Sequence, residues 1–215
     1  MALKVAGDVV PKDAVILSEN DAVSYQWEQI FKWPNKSDVW AFRYGLASVS
    51  GTAAVSAGYI IRHHRRKLKL REYGYLTSMF AVMVAPAIAA GVAHAEFITN
   101  DLLLFKTPCP VCLQTKAAAV QLVAGLMYPL IFSPLTCTVL AIQGGFRIPA
   151  PPGKLNALKM WYKFSKPIVL PLTIMIGLQI LCATSLTYIE AKQFYELNEK
   201  LLAESGEKSA ADCTT

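Results

Sequence analysis

Charged residues are scarce in this sequence. Asp, Glu, Lys and Arg make up 17% of its 215 residues, against about 25% in a typical soluble domain. Hydrophobic residues reach 54%, and the mean hydropathy is +0.36. This balance favours a membrane protein over a soluble one. The net charge of +6 is concentrated in two segments, so we expect no nucleic acid as a partner.

Signatures of enzymes and of targeting signals are also missing. The sequence has no glycine-rich nucleotide loop, no carboxylate pair and no nucleophile–base arrangement. We therefore expect no catalytic residue, no cofactor and no enzymatic activity. The first 23 residues lack the apolar run of a signal peptide, and acidic residues interrupt them, unlike an Arg-rich presequence. We expect the targeting information to lie inside the chain.

Four long apolar segments predict an all-α membrane protein with four transmembrane helices and short amphipathic interfacial helices. The predicted spans are residues 40–61, 75–98, 116–143 and 167–189. Crossing a hydrocarbon core of ~30 Å takes ~20 residues, so the third span must tilt or kink at its prolines. The chain then divides into an N-terminal segment (1–36) with a short amphipathic helix, a membrane domain (37–190) and a C-terminal helical tail (191–215).

Two segments outside the spans have the pattern of amphipathic helices. Residues 18–33 predict a helix capped by Ser18 or Asn20, which either packs on its own protein or lies in the membrane interface. Residues 154–166 place lysines opposite an aromatic-aliphatic face, as on a membrane surface. We expect the tail residues Phe194, Leu197 and Leu201 to lie on a solvated helix, with docking of a soluble partner as the alternative.

The first span is rich in small residues, which let helix backbones approach closely in lipid. We predict a helix-docking surface there, formed by Ser48, Gly51, Ala54 and Gly58. At the end of the second span, we expect His94 and Glu96 to be interfacial rather than catalytic.

Two basic segments flank the spans. Residues 61–72 carry +5 from six basic residues and one acidic residue, and residues 144–166 carry +5 with no acidic residue. Such segments attract anionic lipid, including cardiolipin. The predicted lipid-binding residues are Arg62, Arg65, Arg66, Lys67, Lys69, Lys159, Lys163 and Lys166. With four spans, both basic segments fall on one side, which the positive-inside rule assigns to the cytoplasm or the mitochondrial matrix.

Cys109 and Cys112 lie in the stretch TPCPVCLQTK, between the second and third spans. A zinc site normally needs four ligands, commonly two such pairs, and only one pair is present, so we expect no metal. The charge pattern places the pair in the periplasm, lumen or intermembrane space, where it can stay oxidised. We predict a disulfide between Cys109 and Cys112, with a thiol oxidoreductase as the alternative.

A series of short motifs over residues 98–167 resembles the transmembrane protein 126 family of the mitochondrial inner membrane. In chain order these motifs are ITNDL (98–102), the pair Cys109 and Cys112, Gly125 with Tyr128-Pro129, Gly144-Gly145, Pro152 with Lys154, Trp161, and Ser165-Lys166-Pro167.

The resemblance implies a multi-pass protein that helps to assemble respiratory complex I. Its expected partners are complex I membrane-arm subunits and other assembly factors: an acyl-CoA-dehydrogenase-like flavoprotein, a Toll-pathway adaptor and a CIA30-type factor. Family members act as scaffolds, so no catalytic residue carries over. The resemblance implies a topology with both tails in the matrix, which is opposite to the topology that the charge pattern predicts. A permanent accessory subunit of a respiratory complex stays open as an alternative.

Overall fold

A computed structural model describes residues 17–107, 109–146, 162 and 165–212, with side chains through residue 203. All regular secondary structure within these ranges is helical. Most of the predicted 154–166 helix, including Lys159 and Lys163, lies outside the described residues, as do residues 1–16.

The N-terminal helix α1 spans Glu19–Lys32, close to its predicted limits. Ser18 is its N-cap, and the Ser18 hydroxyl accepts a hydrogen bond from the backbone N–H of Asp21. The helix buries Ile30 completely, and the indole N–H of Trp27 donates to Asn100 Oδ1 at 3.3 Å. Of the two alternatives, α1 therefore packs on its own protein.

Four long helices follow, and helices adjacent in sequence run antiparallel, as their contacts show. Their bounds are Trp40–Lys67 (α2), Tyr75–Leu103 (α3), Pro110–Gln143 (α4) and Val169–Asp212 (α5). Short 3₁₀ turns, Lys36–Val39 and Lys166–Ile168, lead into α2 and α5. Helix α2 contacts all three of the other long helices and is the centre of the bundle.

The prediction of four membrane spans is wrong by one helix. Within the described residues, three helices are long and apolar enough to cross a membrane: Tyr75–Leu103, Pro110–Gln143 and Lys166–Ala203. Helix α2 has sufficient length, at 28 residues, but it is too polar. It carries serine, threonine and glycine where a lipid-facing helix carries leucine and isoleucine, because much of its surface packs against other helices.

Two prolines, one in α3 and one in α4, follow π-helical turns, whereas Pro134 lies inside regular α-helix. The turn Phe80–Val84 precedes Pro86, and the turn Val123–Met127 precedes Pro129. A proline ring clashes with the carbonyl four residues before it, and the wider π turn relieves that clash. A third π turn, Ala95–Thr99, has no proline after it within the helix.

Among the described residues, the largest apolar cluster lies at the end of the bundle beside the cysteines. There Ile30 of α1 and Phe42 of α2 pack with Phe194 and Leu197 of α5. Phe194 is 2% exposed and Leu197 is 4% exposed. The prediction of a solvated or partner-binding tail face is therefore wrong at these two residues, because α1 and the start of α2 cover it.

Candidate functional site

Basic side chains surround a cleft of about 750 Å³ at the opposite end of the bundle, between the end of α2 and the start of α3. The residues that line it are Arg62, Arg65, Arg66, Lys69, Arg71, Glu72, Tyr75 and Met79. Five cationic side chains and one carboxylate give this basic cleft a strong positive charge. Such a site favours anions.

Arg65 holds the loop that forms one wall of the basic cleft. Its guanidinium donates to the backbone oxygens of Arg71 (2.7 Å), Tyr73 (3.0 Å) and Gly74 (3.2 Å), and to Ser78 Oγ (2.7 Å). Arg65 itself is only 6% exposed. Arg65 therefore has a structural role, and the other cations of the cleft are the side chains available to bind a ligand.

The backbone of this loop is strained at two of its basic residues. Lys69 has φ 52° and Arg71 has φ 45°, both in the left-handed region. A non-glycine residue adopts this conformation at a cost, and the surrounding structure must hold it. The Arg65 hydrogen bonds supply that restraint, so the cleft is a built feature of the fold.

The predicted lipid-binding residues are only partly brought together. Arg62, Arg65, Arg66 and Lys69 line the basic cleft. Lys67 is exposed but does not line it, and Lys166 is exposed at the start of the turn that leads into α5. Arg71, one of the six basic residues of segment 61–72, also lines the cleft but was not among the predicted lipid-binding residues.

The predicted docking residues of α2 separate into two groups. Ser48 and Gly51 face outwards, and a Cβ placed on Gly51 would meet nothing within 4 Å. Ala54 and Gly58 are half-buried, and a Cβ on Gly58 would lie 3.3 Å from Met83 Sδ of α3. The open face of α2 comprises Tyr44, Ala47, Ser48, Gly51, Val55 and Tyr59.

Cys109 and Cys112 lie at the first turn of α4, and both are free thiols in the structure. Cys109 is the N-cap, and its Sγ accepts a hydrogen bond from the backbone N–H of Cys112 at 3.3 Å. The neighbouring thiol of Cys112 and the backbone N–H groups of Cys112 and Val111 lower the pKa of Cys109. The predicted disulfide stays a prediction, and Pro108 lies outside the described residues.

A narrow slot of about 140 Å³ opens beside the cysteine turn, between the start of α4 and the middle of α5. Its walls are mainly apolar and include Leu102, Pro110, Leu113, Tyr188, Ala191 and Tyr195. Ion pairs hold the segments around it: Lys106 with Glu19 (2.7 Å) and Lys116 with Asp101 (2.6 Å).

A buried pair of titratable groups near this end of the bundle was not predicted from the sequence. His94 Nε2 and Glu190 Oε2 are 3.3 Å apart, and both side chains are 1% exposed. The prediction that His94 is interfacial is therefore wrong, whereas Glu96 is exposed as expected. The two partners are 96 residues apart, so no local pattern could have paired them.

Two glutamines form a second buried polar contact at the middle of the bundle. Gln121 Nε2 donates to Gln179 Oε1 at 2.6 Å and to the backbone oxygen of Val49 at 2.9 Å. Gln179 Nε2 in turn donates to Ser56 Oγ at 2.9 Å. These bonds join α2, α4 and α5. Unpaired amides are costly in an apolar environment, so the contact fixes how the helices align.

The fold and its three long apolar helices define an all-helical membrane protein. The family model for transmembrane protein 126 matches residues 21–208. Transmembrane protein 126 of Drosophila melanogaster is 37% identical over 193 residues, which cover 88% of this chain and 86% of that protein. The chain therefore belongs to the transmembrane protein 126 family, as its motifs indicated. No solved structure matches it.

Proposed function

We propose that this chain is a non-enzymatic assembly factor for respiratory complex I in the mitochondrial inner membrane. In this role it holds a membrane-arm intermediate, together with other assembly factors, until further subunits arrive. Membership of the transmembrane protein 126 family supports the proposal, because the family resemblance implies this role.

The observation that carries the proposal is the open face of α2. This helix is too polar to be counted among the membrane-length apolar helices. Its outer face is nevertheless left uncovered, because no helix among the described residues packs over Ser48 and Gly51. Small residues at the centre let another helix approach closely, and Tyr44 and Tyr59 mark the two ends of the stripe. A transmembrane helix of a complex I membrane-arm subunit is the occupant we propose.

Replacing Gly51 by leucine tests this docking. The new side chain enters open space in the chain's own fold, and leucine favours the helix, so the variant should fold. After depletion of the natural protein, rescue with Gly51→Leu should leave mature complex I clearly reduced, because the partner helix is displaced.

Gly177→Leu is the matched control, since a Cβ on Gly177 of α5 also meets nothing within 4 Å. It should rescue fully. Gly45→Leu provides the opposite control, because a Cβ there lies 2.7 Å from Leu186 and should lower the amount of folded protein. Full rescue by Gly51→Leu would show that no partner helix docks on the open face of α2.

The proposal includes anionic lipid at the basic cleft, with cardiolipin as the lipid. Clusters of cations at the ends of membrane helices bind such headgroups, and Arg62 and Arg66 are the two exposed arginines that α2 contributes to the cleft. The double variant Arg62→Gln/Arg66→Gln should lose most binding to cardiolipin-containing vesicles. Lys32→Gln/Lys192→Gln removes the same charge from exposed residues outside the cleft and should retain it. Equal loss in both variants would indicate unspecific attraction only.

A further inference from the structure

We propose that Cys109 and Cys112 form an asymmetric thiol–disulfide exchange couple, in which Cys109 attacks a disulfide of a partner protein and Cys112 resolves the mixed disulfide. This activity is independent of the complex I role.

The asymmetry arises from the position of each cysteine at the start of α4. Cys109 is the N-cap of the helix, and the backbone N–H of Cys112 donates a hydrogen bond to Cys109 Sγ at 3.3 Å. The thiol of Cys112 and the backbone N–H of Val111 add to the effect of this donor on the Cys109 sulfur. They stabilise negative charge on that sulfur, and the pKa of Cys109 is accordingly lowered. The thiolate is the nucleophile in disulfide exchange, so these donors select Cys109 as the attacking group.

Access to the pair is compatible with exchange. Cys109 is partly exposed and Cys112 is exposed, whereas Cys137 is buried within α4. Three lysines flank the pair, and each has an acidic partner: Lys106 with Glu19, Lys116 with Asp101, and Lys192 across the slot with Glu196. The apolar slot beside Pro110 has room for one apolar side chain next to the partner's cysteine.

The proposed reaction has two steps. First, the Cys109 thiolate attacks one sulfur of the partner's disulfide; a Cys109–partner disulfide forms, the partner's own S–S bond breaks, and its second sulfur leaves as a thiolate that takes a proton from water. Next, Cys112 gives its proton to solvent and attacks Cys109 Sγ. The Cys109–Cys112 disulfide forms, and the partner's first sulfur leaves as a thiolate. Two electrons pass from the cysteine pair to the partner.

Single cysteine variants with glutathione disulfide as the probe test the asymmetry. The reduced chain is purified in detergent, incubated with the probe, and analysed by intact mass and peptide mapping. The unsubstituted chain should form the internal disulfide without a lasting adduct. Cys112→Ser should accumulate glutathione on Cys109, because the resolving thiol is missing. Cys109→Ser should react at Cys112 several-fold more slowly, because Cys109 Sγ and not Cys112 Sγ accepts the backbone N–H of Cys112.

Equal adduct rates in the two variants would overturn the proposal, as would failure of the unsubstituted chain to form the internal disulfide. Cys182→Ser is the control and should react like the unsubstituted chain. Rescue of complex I by a Cys109→Ser/Cys112→Ser chain measures the scaffold role separately. The experiments can therefore contradict the exchange proposal and still support the assembly role, or the reverse.

The slot provides a second test. Two model peptide disulfides that differ only at the residue after cysteine, leucine in one and serine in the other, should react at different rates with Cys112→Ser. The leucine peptide should react several-fold faster, because its side chain fits the apolar slot. Equal rates, or a faster serine peptide, would contradict a role for the slot in partner selection.

Discussion

Arg65 and Arg66 are adjacent in sequence but have different roles. Arg65 is buried and donates three hydrogen bonds to the loop after α2 and one to Ser78 of α3, whereas Arg66 is exposed. Lysine keeps the charge but cannot reproduce the planar guanidinium fork. Arg65→Lys should lower the free energy of unfolding by about 2 kcal/mol, and the melting midpoint in detergent by roughly 6 °C. Arg66→Lys should leave the midpoint unchanged, and equal effects would contradict the proposed role of Arg65.

The buried contact between His94 and Glu190 makes a second prediction about single residues. Replacing Glu190 by leucine leaves the buried imidazole without this partner and should cost about 1–3 kcal/mol. Glu190→Gln keeps a side-chain oxygen at the same reach and should cost less. Thermal unfolding of both variants in detergent measures the difference. A leucine variant as stable as the glutamine variant would show that the contact does not stabilise the bundle.

At the scale of the helices, hydropathy predicted the segments well and their lateral contacts poorly. Ser18 marked the start of α1, and the apolar runs located the cores of α3, α4 and α5, because these are local properties of the sequence. The basic character of the cleft could also be predicted, because its five basic residues lie within ten positions of the sequence. The Arg65 hydrogen bonds and the partner of His94 could not, because they depend on loop conformation and on contacts between distant helices.

The glutamine contact between α4 and α5 should behave as one unit. Gln121→Leu or Gln179→Leu alone leaves the other amide without its partner and should cost about 1–3 kcal/mol. The double variant replaces both amides by apolar groups, so it should cost less than the sum of the single changes. Melting midpoints of the three variants complete the thermodynamic cycle. Additive losses would mean that the two amides are energetically independent.

The contact between Asp38 and α5 predicts a pH dependence. Lys200 Nζ lies 2.7 Å from Asp38 Oδ2, and this hydrogen bond lowers the pKa of Asp38. A carboxyl whose pKa is lower in the folded state stabilises the fold above its unfolded value of about 3.9, and this stabilisation is lost as the pH falls. Asp38→Asn should therefore melt below the unsubstituted chain at pH 7, and the gap should close below pH ~4. A gap that persists in acid would contradict this assignment.

For the whole molecule, the antiparallel order of the helices separates two chemically different ends. The basic cleft lies at one end, and the cysteine turn, α1 and the α5 segment around Phe194 lie at the other. The positive-inside rule predicts that the basic end faces the cytoplasm or, in the proposed inner-membrane location, the matrix. The two ends would then contact different compartments, with lipid headgroups at one and thiol exchange at the other.

A complexome profile tests the assembly role most directly. Mitochondrial membranes are solubilised gently, separated on a native gel, and quantified slice by slice by mass spectrometry. We expect this chain to migrate with partial membrane-arm subunits and other assembly factors, and to be absent from mature complex I. Migration alone, or wholly with the mature enzyme, would contradict the assembly role.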